Sequence, residues 1–148
     1  MSAVTLRRAV ALGIAALWAA SLCFPVWAGS SNGWWFLVIG WMGLLFGEFA
    51  WLANFVLYLV LGLLVARRQY PVLLMVLAVF LVIVVFGELG RTTMVDNEGG
   101  IAREIGQRFA GFYLWIAAIG GGALMALVTA AVEMNARQRR DAAAGAAG

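Results

Sequence analysis

Apolar residues fill four long runs of this chain, 10–28, 49–66, 72–90 and 109–132, and most of the charge falls outside them. About 20 apolar residues in a helix cross the hydrocarbon core of a bilayer, so each run has the length of a transmembrane span. The pattern predicts an all-α integral membrane four-helix bundle, a single polytopic membrane domain over 1–140. The stretch 141–148 is alanine and glycine around one aspartate and offers nothing to bury, so a disordered tail is expected there.

Between the first two spans the apolar character resumes early. From Trp34 to Ala66 the chain would run about 50 Å as continuous helix, against a bilayer core of about 30 Å. Two full crossings and a turn would need more residues, so the stretch has to bend. The expectation is a short interfacial or re-entrant helix at 34–46, a break near Gly47 and Glu48, and the span proper from Phe49. Gly40, Gly43 and Gly47 recur at spacings of three and four, which places them on one helical face where another backbone can approach. Gly120, Gly121 and Gly122 serve close helix packing in the fourth span, inside the bundle or between copies. They are not a phosphate loop, because no strand, lysine or adjacent hydroxyl residue accompanies them.

Composition agrees with this class: 65% of residues are apolar and 11% charged. With four spans in 148 residues, the connections leave no room for a separate soluble domain. The formal charge of +3 does not indicate nucleic-acid binding, because the cations, all arginines, fall where topology explains them. Arg7, Arg8, Arg67, Arg68, Arg137, Arg139 and Arg140 lie at one side of the four spans. On the other side Arg91, Arg103 and Arg108 are offset by Asp96, Glu98 and Glu104. The positive-inside rule then places both termini in the cytoplasm. Alanine-rich, lysine-free composition and short loops suggest a bacterial inner membrane.

Arg7, Arg8, the apolar stretch to Phe24 and the small-residue pattern at Val26-Trp27-Ala28 also fit a signal peptide cleaved after Ala28. The apolar stretch is long for that role, so an uncleaved helix is the expectation. Cys23 is not preceded by the small residue a lipoprotein signal needs, and reads as an apolar filler.

Depth counting gathers the polar residues at the non-cytoplasmic boundary. At about 1.5 Å per residue, Glu48 lies roughly 27 Å and Asn54 roughly 18 Å from the cytoplasmic edge of the second span, and Glu88 about 24 Å across the third. Trp27, Trp34, Trp35 and Trp51 fall at the same level, as in an interfacial aromatic belt, with Trp41 and Trp115 near it; Trp18, Tyr58 and Tyr70 lie toward the cytoplasm. Glu88 can pair with Arg91 three residues on, if the helix continues. Glu48 has no arginine within a turn and needs water, a donor, or a cation from the third span or the outer loop. Asn54 suits an interhelical hydrogen bond. Together Glu48, Asn54, Glu88 and Arg91 form the candidate polar site.

The loop from Arg91 to Arg108 reads as a turn at Asn97-Glu98-Gly99-Gly100, followed by an early start of the fourth helix. Ile101, Ile105, Phe109 and Phe112 share one face of that start, and Glu104 and Arg108 form an i,i+4 pair. The loop carboxylates match no calcium-loop spacing, and no metal or other cofactor is expected.

Absent residues bear on function. With no histidine the commonest general base and haem, zinc and copper ligand is missing, and one cysteine excludes an internal disulfide centre. No serine sits in a nucleophile elbow. The expectation is a non-enzymatic interaction protein: an accessory subunit or immunity-type inhibitor that binds a membrane partner through its helices and non-cytoplasmic face, or a homo-oligomer. The alternative is a small homo-oligomeric transporter or channel, coupled to protons or cations through Glu48 with Glu88. In size the chain is similar to four-span immunity proteins and small multidrug transporters, with no motif of either.

Overall fold

The computed structural model describes residues 3–27, 32–66, 70–95 and 102–146. It is mostly helical, and three of its helices are long and apolar enough to cross a membrane: α1 (Ala3–Ser21), α4 (Pro71–Gly90) and α5 (Ala110–Ala146). Two shorter apolar pieces lie between them. α2 (Gly33–Ile39) tightens into a 3-10 helix (Gly40–Phe46), and α3 (Leu52–Val65) follows after a break. A small antiparallel pair of strands, β1 (Thr93–Val95) and β2 (Ala102–Glu104), joins α4 to α5.

α5 packs against α1, α3 and α4, and α3 also touches α1 and α4. α3 buries Ala53, Asn54, Leu57, Val60 and Leu64; α4 buries Leu74, Ala78, Leu81 and Val84. These recur at helical spacing, so each helix has one inward stripe. The stripe of α5 is rich in small residues, Ala118, Gly122, Ala123, Ala126 and Ala130, beside Ile119 and Thr129. Small side chains let helix axes approach closely, which is how helices associate when the surrounding lipid is as apolar as they are. A Cβ on Gly122 would lie 2.4 Å from Leu57 Cδ1, and one on Gly121 3.6 Å from Ile14, whereas Gly120 faces open space.

α1 differs from the expected span at 10–28: it begins at Ala3 and stops at Ser21, whose Oγ donates to the Trp18 carbonyl at 2.6 Å. Pro25 disfavours helix in the residue before it and brings no N–H of its own. The backbone beyond the helix is satisfied by two neighbours instead. Gly33 and Trp34 donate to the carbonyls of Phe24 and Leu22, while Phe109 and Gly111 donate to those of Val26 and Pro25. Ala28, the boundary in the rival signal-peptide reading, lies outside the described residues.

Between the 3-10 helix and α3 the chain turns at Gly47, whose φ of 77° is left-handed. The Gly47 N–H donates back to the Gly43 and Leu44 carbonyls, which closes the helix end, and a residue without Cβ adopts this conformation at least cost. Gly40 and Gly43 do not receive another helix's backbone, as the three-and-four spacing suggested. They face their own returning chain: a Cβ on Gly40 would meet the Trp51 indole at 2.5 Å, and one on Gly43 would meet Glu48 Cβ at 3.2 Å.

Three further expectations are corrected. The fourth helix does not begin before Phe109: residues 102–104 pair with β1 in the register Thr93↔Glu104, Met94↔Arg103 and Val95↔Ala102, and Ile105 N–H donates to Thr92 O. Arg108 is drawn to the open carbonyls at the end of α4 rather than to Glu104. The tail is helical through Ala146, because adding alanines to an existing helix needs no new nucleus. The turn at 97–100, Asp96 and Glu98 fall outside the described residues, as do Arg67 and Arg68.

Candidate functional site

The last turn of α4 carries Glu88, and Arg91 follows the helix in extended conformation. Its guanidinium lies 3.0 Å from Glu88 Oε1 by one nitrogen and 2.7 Å from Glu48 Oε1 by the other. Arg91 thus fastens the break after the 3-10 helix to the end of α4. The three side chains keep 25% (Arg91), 27% (Glu48) and 17% (Glu88) of their exposure, so water screens them only partly. The two carboxylates share the one guanidinium of Arg91.

A second guanidinium, that of Arg108, stands beside this group without a direct contact to either carboxylate. One of its guanidinium nitrogens donates to the Leu89 carbonyl at 3.0 Å, and the other to the carbonyls of Glu88, at 2.8 Å, and Arg91. The guanidinium carbon stands 4.6 Å above the centre of the Phe112 ring. These carbonyls are the unpaired acceptors at a helix C-terminus, where a positive charge also suits the helix dipole.

Below the ion pairs lies Asn54, 7% exposed and the hub of a second network. Its Oδ1 accepts from the Trp18 indole at 2.9 Å and the Trp115 indole at 3.0 Å, and its Nδ2 donates to the Trp51 carbonyl at 3.0 Å. One side chain of α3 therefore joins α1 and α5. The Trp51 indole in turn donates to the Leu37 carbonyl at 2.8 Å, tying α2 to the start of α3. Trp18, expected toward the opposite side, stands level with Asn54, because α1 ends seven residues earlier than the apolar run.

A cavity of about 180 Å³ opens between these two networks. Glu48, Glu88 and Arg91 form one part of its wall, and Asn54 and Ser21 another. Trp27, Trp51, Trp115, Phe36 and Phe112 supply aromatic lining, with Trp27 and Phe36 ring to ring at 4.5 Å. Gly40, Gly43 and Gly111 also line it; a Cβ on Gly111 would strike the Phe24 carbonyl oxygen at 2.5 Å.

Of the residues singled out from sequence, Glu48, Asn54, Glu88, Arg91, Trp27 and Trp51 share this cavity. Trp34 and Trp35 do not: both are exposed on α2 and stack edge to face at 5.4 Å. Gly120, Gly121 and Gly122 belong to the packing of α5 and lie away from it. Sequence reasoning missed Trp18 as a partner of Asn54, Arg108 as the cap of α4, and Gly111. The signal for Arg108 was available in the open carbonyls that any helix end presents. No signal near Gly111 marked it, since its reason is a strand-like segment distant in sequence. No protein-family model, curated protein or solved structure matches this chain.

Proposed function

We propose that this chain is a non-enzymatic bacterial inner-membrane protein that works by binding a membrane partner, as an accessory subunit or immunity-type inhibitor. In this reading α3, with the re-entrant segment before it, completes a fourth crossing of a four-helix bundle. Both termini lie in the cytoplasm, and the end carrying Glu48, Glu88 and Arg91 faces outward.

The observation that carries the reading is where the polar site stops. Beneath Asn54 the interior is filled by Leu57, Val60, Leu64, Leu74, Ala78, Leu81 and Ile119, each at most 1% exposed. A transporter needs a polar route past the midplane, and this mostly aliphatic core lines none through a single copy. The carboxylates that would carry a proton or cation are held by Arg91 at one end of the bundle. What the outward end offers instead is surface: Trp34, Trp35, Val38, Trp41 and Leu45 are exposed along α2 and the 3-10 helix. Aromatic side chains of this kind anchor both bilayer interfaces and protein contacts.

The test is mild-detergent extraction of tagged chain expressed at its native level, with photo-crosslinking residues at Trp41 and Leu45. A stoichiometric membrane partner crosslinked at these positions is expected. Recovery of a homo-oligomer alone, or proton- or cation-coupled flux in proteoliposomes that Glu48→Gln abolishes, would overturn the reading.

A further inference from the structure

We propose that the end of the bundle remote from Arg91 binds the phosphate headgroup of an anionic phospholipid between α1 and α5, independently of the partner reading above. Arg7 of α1 stands beside Glu133 of α5, so the two termini of the chain converge there. Glu133 follows Phe112, in the cavity wall, by about 32 Å of helix, which sets this level one hydrocarbon thickness of about 30 Å from the cavity. Exposed apolar side chains reach the same level on both helices, Val4 and Leu6 on α1 and Val128 and Val132 on α5. Charge begins where they end. Arg137 and Arg140 are exposed on the face that Glu133 turns to Arg7, about 6 and 10 Å farther along α5 and therefore at headgroup depth. Among the described residues of this end, Arg7, Arg8, Arg137, Arg139 and Arg140 stand against two carboxylates, Glu133 and Asp141, so positive charge predominates.

A second observation points to an anion. Glu133 does not satisfy Arg7, because their nearest charged atoms are 3.8 Å apart, beyond hydrogen-bond reach. Arg7 Nε is buried and has no hydrogen-bond partner among the described residues. An unpaired N–H on a buried part of a charged group is costly, and an anion beside the guanidinium offsets that cost. The planar fork of arginine matches two oxygens of one phosphate, and basic side chains at the membrane surface attract anionic lipid. A soluble phosphate would answer the charge but would leave the apolar flank below it without a role. A phospholipid uses both, with its phosphate at the arginines and its acyl chains along the exposed valines and leucine.

The full chain is purified in maltoside detergent and titrated with phosphatidylglycerol, with zwitterionic phosphatidylcholine and with glycerol 3-phosphate, and the thermal midpoint is followed. A saturable rise is expected for phosphatidylglycerol, with the other two at least about tenfold weaker. Arg7→Gln and Arg137→Gln are each expected to weaken binding about fivefold, whereas Arg139→Gln, on the opposite side of α5, changes it less than about twofold. Glu133→Gln separates a ligand-binding Arg7 from a merely structural one. It removes a competing carboxylate and is expected to bind phosphatidylglycerol as tightly as the native chain or more so, whereas weakened binding would mean that Arg7 serves only the contact with Glu133. That result, equal responses to phosphatidylglycerol and phosphatidylcholine, saturation by glycerol 3-phosphate at the same concentration, or equal losses in Arg137→Gln and Arg139→Gln would each overturn the proposal.

Discussion

Arg91 and Glu48 meet at 2.7 Å across the opening of the bundle, one at the end of a long helix and the other in the break of a bent one. Removing the arginine leaves two carboxylates near each other without their direct ion-pair partner. Arg91→Ala is expected to lower stability by about 1–2 kcal/mol, less than for a fully buried pair because about a quarter of each of these two side chains is still exposed. Adding Glu48→Gln to that variant should recover part of the loss. A thermal-unfolding double-mutant cycle in detergent measures this, and additive effects would mean the contact contributes nothing.

Asn54 is the acceptor for two indoles from two other helices. Asn54→Leu keeps the branched shape and strands both N–H groups. At about 0.6 kcal/mol per interhelical hydrogen bond, and up to about 1.7, the loss is expected at about 1–3 kcal/mol. Trp18→Phe should be milder, since it removes one donor and leaves the other bond in place. An unchanged unfolding midpoint for Asn54→Leu would show that the network is idle.

Two glycines of α5 should respond in opposite ways to the same methyl group. Gly111→Ala places a Cβ against two backbone oxygens, at 2.5 and 2.7 Å, which no side-chain rotation relieves. It is expected to disrupt the junction between α1 and α5. Gly120→Ala meets nothing within 4 Å and should be neutral or stabilising by up to about 1 kcal/mol through its better helix propensity. Similar behaviour of the two variants would contradict the packing described.

Gly47 holds a left-handed φ of 77° with open space around its missing side chain. Strain alone should therefore govern substitution there. Gly47→Ala is expected to cost about 1–2 kcal/mol and Gly47→Asn less, as asparagine tolerates this region. Equal midpoints for all three residues would place the bend elsewhere.

The orientation proposed for the chain is checked by labelling in whole cells with Cys23→Ala as background. Thr93→Cys, in β1, should react with a membrane-impermeant maleimide added outside, and Gln138→Cys, near the end of α5, only after permeabilisation. The reverse pattern would invert the assignment of both faces.

Some of this architecture was already written in local sequence. Helices that can cross a membrane follow from run length and apolarity, which one segment carries by itself. The stretch after Trp34 was too long for one crossing and too short for two, so a bend near Gly47 was legible before its left-handed φ was seen. The identities of the polar residues, too, were conspicuous against an apolar background. Their partners were not. Trp18 and Trp115 are separated from Asn54 by 36 and 61 positions, and Arg91 from Glu48 by two helices, so only the packing of α1, α3, α4 and α5 decides that they meet. The end of α1 at Ser21 has the same origin. Hydropathy says which residues prefer lipid to water, whereas hydrogen bonds in an apolar interior form wherever the folded chain brings a donor to an acceptor.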